Sequence, residues 1–147
     1  MTRKRVLFLC TGNSARSQMA EALLRHYAGD WFEVYSAGTE PKGVHPLTLR
    51  VLSEIGIDAS QQTSKSLQVY QGKMNFDYLI TVCADAERNC PYFPGQGMRL
   101  HWPFEDPAAG EETEDAKLQK FRRVRDQIAA RIRAWLDELG LPTNPSE

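Results

Sequence analysis

The chain has no apolar run approaching the roughly 20 residues that cross a bilayer, and it has no internal repeat and no low-complexity segment. It also lacks a basic excess: 18 Lys+Arg stand against 19 Asp+Glu, a net charge of -1, so no cationic surplus is available to hold a phosphate polymer. Non-specific nucleic-acid binding is excluded on that ground. Met1-Thr2-Arg3-Lys4-Arg5 leads straight into Val6 to Leu9, an apolar run far too short for a secretory segment. The expected location is therefore the cytoplasm, with no membrane attachment. Cysteine is scarce and odd in number, 3 in 147 residues, and in a reducing compartment these read as reactive or buried thiols, not as a disulfide framework. Nor do they form a zinc half-site, because Cys83 and Cys90 depart from Cys-x2–4-Cys spacing and His26, His45 and His101 form no paired motif. No metal is expected, and the histidines read as surface or packing residues.

What is present suits one globular domain, with 41% of residues apolar and 25% charged. A chain of this size buries roughly two thirds of its extended surface and needs no staple. The domain is expected over 1–142, with a disordered tail at 143–147, and a monomer is expected. Punctuation alternates strand and helix. Val6 to Leu9 is a continuous apolar run of the kind buried on both faces of a sheet. From Ser17 to Ala28 apolar residues recur at helical spacing, with Gly29 as the stop. Phe32 to Ala37 reads as a second strand closed by Gly38. Pro46 opens a second helix whose face is Leu47, Val51 and Ile55, and Gly56 ends it. Ser60 to Ser66 carries no clear signal beyond a short helical segment near Leu67. Phe76 to Val82 and Met98 to Trp102 are expected as strands three and four. Leu118, Phe121, Val124, Ile128, Ile132, Trp135 and Leu139 then mark one long helix, with the arginines at 122, 123, 125, 131 and 133 on its solvated face.

Strands joined by helical crossovers predict an α/β fold: a four-stranded parallel sheet of flavodoxin-like type, flanked by helices. Ligands then bind at the carboxyl ends of the strands. Cys10 and Cys83 both fall at such ends. Between Cys10 and Arg16 the chain reads Thr11, Gly12, Asn13, Ser14, Ala15, a turn from strand into helix. Gly12 and Asn13 tolerate positive φ, so successive N–H groups can turn inward and form an anion-binding nest, aided by the following helix dipole. Thr11 to Ser17 are accordingly the expected oxyanion-binding residues, with the fork of Arg16 clamping a tetrahedral anion against the Cys10 sulfur. The same donors and the Ser17 hydroxyl favour thiolate over thiol, so Cys10 is expected to titrate below neutrality. A nucleotide-binding Gly-x-x-x-x-Gly-Lys-Ser/Thr loop is excluded, because the second Gly and the Lys are missing.

This Cys-x5-Arg-Ser loop resembles that of the low-molecular-weight protein tyrosine phosphatases. The segments 10–21, 35–38, 81–91, 101–108 and 121–126 resemble the thioredoxin-coupled arsenate reductases that share that fold. The resemblance implies a reaction for all three thiols. Cys10 attacks arsenate, Cys83 attacks Cys10 and releases arsenite, and Cys90 attacks Cys83 to leave a Cys83–Cys90 disulfide for thioredoxin to reduce. No bound cofactor is implied. Ala84 to Asn89 is compatible with a helix, which would hold Cys83 and Cys90 about 10 Å apart along its axis. A disulfide requires Cα atoms within about 7 Å, so that segment is expected to loop out on oxidation. Asp106, held extended by Pro107, is implied as the general acid. Ala108 and Ala109 follow it where related phosphatases carry aromatic residues, which favours a small inorganic oxyanion over phosphotyrosine. Phosphate or sulfate would fit the same loop. Some relatives bind potassium near residues matching Asn13, Glu21 and Ser36; here Lys65 stands at the acidic position, and its ammonium could occupy the cation's place beside Glu21. The alternatives are a phosphatase whose extra cysteines protect Cys10 from oxidation, and a non-catalytic oxyanion-binding redox sensor.

Overall fold

A computed structural model describes residues 3–82 and 97–142. Cys83, Cys90, the run between them and the tail 143–147 lie outside the described residues. The elements are β1 (Lys4–Cys10), α1 (Arg16–Ala28), β2 (Phe32–Gly38), α2 (Pro46–Ser53), a 3-10 turn (Leu67–Val69), β3 (Tyr78–Thr81), β4 (Met98–His101) and α3 (Glu114–Glu138). All pairings are parallel, in the order β2-β1-β3-β4, so the fold is a single α/β domain with a four-stranded sheet. Val6, Leu7, Phe8 and Leu9 are fully buried, as expected of a central strand covered on both faces. Cys10 pairs in register with Gly38, which puts the ends of β1 and β2 side by side at one edge of the sheet.

Several boundaries move, each for a local reason. β3 starts at Tyr78 instead of Phe76 because the Asp77 carboxylate accepts the Arg5 amide at 2.7 Å and so replaces a rung of the ladder. α2 ends at Ser53, before Ile55. Gly56 has φ +84, and the amide of Ile57 returns to the Leu52 carbonyl at 3.0 Å. That turn exposes Ile55 and sends Ile57 into the core in its place. Leu139 likewise falls past the end of α3 and is exposed, whereas Leu118, Phe121, Val124, Ile128, Ile132 and Trp135 are buried as the spacing requires.

The arginines of α3 do not form a uniformly solvated face. Arg125 is buried and donates to the Val51 carbonyl at 2.8 Å and to Glu54 at 3.0 Å, tying α3 to α2. Arg131 stacks over the Trp102 ring at 4.7 Å, and Arg133 reaches the Tyr27 hydroxyl at 2.9 Å. Their aliphatic stems and delocalised heads cover apolar surface that a smaller charge would leave wet. Among the described residues, no helix is long and apolar enough to cross a membrane.

Candidate active site

The turn from β1 into α1 is shaped by hydrogen bonds made on its outer side. The Cys10, Thr11 and Gly12 carbonyls accept the amides of Thr39 (3.3 Å), Glu40 (2.8 Å) and Lys42 (2.9 Å), all in the segment that follows β2. The Ser14 carbonyl accepts the His45 amide at 3.1 Å and the Thr48 hydroxyl at 2.9 Å. The Asn13 carbonyl accepts the Gln18 amide group at 3.1 Å, and the Ala15 carbonyl begins the ladder of α1 at Met19. Each carbonyl from 10 to 15 is thus satisfied by protein. In a planar trans peptide the N–H points opposite to the C=O, so this turns the amides of the loop toward the other side, where the pocket lies. Ala15, the N-cap of α1, makes no side-chain cap bond, which leaves the first-turn amides of that helix for an anion as well.

Two residues hold this shape. Asn13 adopts φ 46, the one non-glycine left-handed residue among those described, while Gly12 does not have positive φ as the sequence reading allowed. Asn13 manages it because its fully buried side chain is bonded on both ends. Its amide donates to Ser17 Oγ at 2.8 Å and Ser36 Oγ at 3.0 Å, and its carbonyl accepts the Lys65 amide at 2.9 Å. Gly38 is the second. A Cβ there would stand 2.5 Å from the Thr11 carbonyl oxygen and 2.9 Å from the Asn13 amide nitrogen.

The pocket these groups surround measures about 470 Å³ and is lined by the loop from Cys10 to Arg16 together with Lys42, His45, Asp106 and Ala108. Cys10 is buried at its floor. Arg16 is held across the opening, donating to the Phe104 carbonyl at 3.1 Å and lying 3.8 Å from the Asp106 carboxylate. Asp106 is half-exposed, and its Oδ1 accepts the Ala108 amide at 3.0 Å, an Asx turn that fixes the carboxyl at the pocket mouth. Beneath the loop, the Ser36 hydroxyl donates to Glu21, Arg25 donates to Glu21 at 2.6 Å, and the Lys65 ammonium lies 4.0 Å from Glu21. Burial lowers the Lys65 pKa, an effect Glu21 opposes and Arg25 reinforces. The polar stretch 60–66, whose secondary structure has no clear sequence signal, adds to this support: the Lys65 carbonyl accepts the Gly38 amide at 2.9 Å, and Ser64 Oγ donates to the Gly12 carbonyl at 3.3 Å.

The structure therefore brings Cys10, Thr11 to Ser17, Asp106, Glu21, Ser36 and Lys65 into one region. Lys42 also lines the pocket and carries no cue in the sequence, while His45, expected only as a surface or packing residue, packs on Phe121 and lines the pocket as well. The one legible cue was His45 before Pro46, a capping position at the start of a helix. Among the described residues, no cluster of His, Cys, Asp and Glu could hold a metal ion.

Residues 5–143 match the low molecular weight phosphotyrosine protein phosphatase family, and the chain belongs to it. Within it, the chain is similar to proteins named arsenate reductase. The arsenate reductase of Shouchella clausii (strain KSM-K16) is 45% identical over 137 residues, 93% of this chain and 98% of that one. A solved arsenate reductase in its phosphate-binding state superimposes with a TM-score of 0.77 at 32% identity, over 92% of this chain and 98% of the other. The thioredoxin-dependent arsenate reductase of Corynebacterium glutamicum is 36% identical with a TM-score of 0.69 over 94% of this chain, which spans 62% of that longer one.

Proposed function

We propose that this protein is an arsenate reductase that works through a relay of three thiols. What carries the reading is the loop with its carbonyls bound outward and its amides inward, over a buried cysteine facing an arginine and a carboxylic acid. Arsenate would be held by the amides of Thr11 to Ser17 and by Arg16. The Cys10 thiolate attacks arsenic, and Asp106 gives its proton to the oxygen that departs as water. A Cys10–S–As(V) bond results. Cys83 then attacks the Cys10 sulfur, and the electron pair of the S–As bond stays on arsenic, which leaves as arsenite with a Cys10–Cys83 disulfide behind. Cys90 attacks Cys83 and frees Cys10 as thiolate. The resulting Cys83–Cys90 disulfide is returned to dithiol by thioredoxin, so each turnover consumes two electrons and needs no bound cofactor. We place the reaction in the cytoplasm and in a monomer.

Two features of the pocket support a small inorganic substrate. Ala108 stands where an aromatic wall would be needed for a phenol ring, and the charged groups at the rim suit a compact anion. Below the loop, the Lys65 ammonium donates to the Thr63 carbonyl at 2.6 Å and lies 4.0 Å from Glu21, so it would supply positive charge beside the group that Asn13, Ser36 and Glu21 form, where some related proteins hold potassium. The family name itself favours one second reading, a phosphatase, since Cys10, Arg16 and Asp106 would serve phosphoryl transfer equally well.

The deciding experiment measures arsenate-dependent NADPH oxidation with thioredoxin and thioredoxin reductase beside hydrolysis of an aryl phosphate. Sustained turnover is expected in the first assay, and Cys83→Ser should abolish it while sparing any aryl phosphate hydrolysis. A chain that only hydrolyses the phosphate ester is a phosphatase, and the reductase reading then fails.

A further inference from the structure

The mouth of the pocket has a second wall that the proposed chemistry leaves unused. His45 lines it, at the N-cap of α2. Its orientation is fixed from three sides. The backbone amide is bonded to the Ser14 carbonyl at 3.1 Å, Nδ1 accepts the Leu47 amide at 3.0 Å, and the ring packs on Phe121 with centroids 4.8 Å apart. An Nδ1 that accepts an N–H carries no proton, so the proton of the neutral imidazole resides on Nε2. With Nδ1 turned back onto the helix, Nε2–H is the ring's remaining donor, on a residue that lines the pocket.

We propose that His45 is a substrate-binding residue, whose Nε2–H donates a hydrogen bond to an oxygen of the tetrahedral anion held by the Cys10 to Arg16 loop. The assignment rests on the anion-binding reading of that loop, and it identifies the α2 side of the pocket as the part that recognises the anion's outer oxygens. In the unliganded site the surroundings favour the neutral ring. Burial and the Lys117 ammonium of α3 hold the imidazole below its ordinary pKa, and only Asp106, from the loop after β4, pulls the other way. Arg16 and Lys42 line the same pocket. A neutral donor suits a site that already contains Arg16: it adds direction without a second fixed charge to desolvate.

His45→Asn separates the two roles of this side chain. Asparagine is a good N-cap whose Oδ1 can still accept the Leu47 amide, but it is too short to present a donor to the pocket. Inorganic phosphate is the probe, titrated calorimetrically into the reduced protein. Loss of a hydrogen bond to a charged oxygen is expected to weaken phosphate binding about tenfold, with the arsenate KM rising by a similar factor and Tm unchanged. Binding as tight as in the wild type overturns the proposal. Nitrogen NMR of the wild-type ring gives a reading independent of any variant: phosphate should shift the Nε2 resonance and leave Nδ1 nearly still, and an unmoved Nε2 overturns the proposal even if His45→Asn does not fold. The two readings of the site can fail separately. A wild type that binds phosphate through His45 but does not reduce arsenate refutes the reductase reading alone, while a wild type that binds no phosphate refutes both.

Discussion

Replacing Gly38 by alanine should damage the active site from a position that touches no substrate. The added methyl would meet the Thr11 carbonyl oxygen at 2.5 Å, the Asn13 amide nitrogen at 2.9 Å and the Asn13 Cβ at 3.0 Å, whereas ordinary contact begins near 3.4 Å. Two of these three atoms are backbone, so relief requires moving the loop itself by most of an ångström. It cannot come from Gly38 alone, whose amide is bonded to the Lys65 carbonyl at 2.9 Å and whose Cα is in register with Cys10. Overpacking of this kind costs about 1–3 kcal/mol, which for a chain of this length lowers Tm by roughly 3–10 °C. The catalytic effect should be larger in proportion. A shift of about 1 Å in a positioning element can cost on the order of a hundredfold in rate, and here the displaced peptides are the ones whose amides face the anion. Thermal melts and kcat/KM for arsenate, measured on the same preparation, test both halves. If Gly38→Ala melts within about 1 °C of the wild type and turns over within a factor of about two, then the loop is not pinned against β2 and the geometric reasoning is wrong.

Asn13→Ala and Asn13→Gly both delete the same three side-chain bonds, but only alanine must also bear the left-handed φ, so the alanine variant should be less stable by about 1 kcal/mol; equal melting temperatures would show that the backbone relaxes out of that conformation. Potassium is expected to change neither turnover nor Tm relative to sodium at matched ionic strength, because an ammonium already stands beside Glu21; a potassium-specific rise would refute that assignment. Glu54→Gln should lower Tm at neutral pH. Its carboxylate is held below its usual pKa chiefly by the Arg122 hydrogen bonds, with Arg125 adding to the effect. A depressed carboxylate stabilises the fold above its unfolded pKa of about 4.3 and loses that contribution as pH falls through the folded value, so the gap between wild type and variant should narrow steadily as pH falls below about 4.3, and a gap that does not shrink with falling pH would contradict the linkage.

The parts of this fold that were legible in the sequence are those governed by periodicity and by local backbone preference. Val6 to Leu9 could only be a doubly covered strand, and the spacing from Leu118 to Trp135 could only be an amphipathic helix; both are buried as that pattern requires. Cys10 and Arg16 were legible because a thiol and a guanidinium bracketing a strand-to-helix turn have few other uses. What the sequence hid was set by contacts between distant segments. Nothing near Lys65 signals that its amide binds the Asn13 side chain, 52 residues away. Nothing local shows that Gly38 must be small because Thr11 crosses it, or that Arg125 will be drawn inward by the Val51 carbonyl. The ends of α2 and α3 were placed too far along because Ile55 and Leu139 continue the apolar spacing, and spacing does not register the turn that Gly56 imposes on the chain before the next apolar residue.

The distribution of these contacts bears on how the site could change. An anion cradle made of backbone amides carries no side-chain signature of its own strength, since almost any residue supplies an N–H. Its electropositive face exists only because other segments accept the burden of the carbonyls: residues 39–48 bind those of Cys10, Thr11, Gly12 and Ser14, and Gln18 binds that of Asn13. Segments 36–48 and 63–66, which pack around the loop, also carry Ser36, Gly38, Lys42, His45 and Lys65. Substitutions there can therefore alter affinity by rotating peptides of the loop while every residue from Cys10 to Arg16 stays the same. It follows that identity of the Cys-x5-Arg loop establishes the type of chemistry but not the anion preferred. On the reading proposed above, that preference would be set by the residues around the loop, among them Lys65 beneath it and His45 and Ala108 at the pocket.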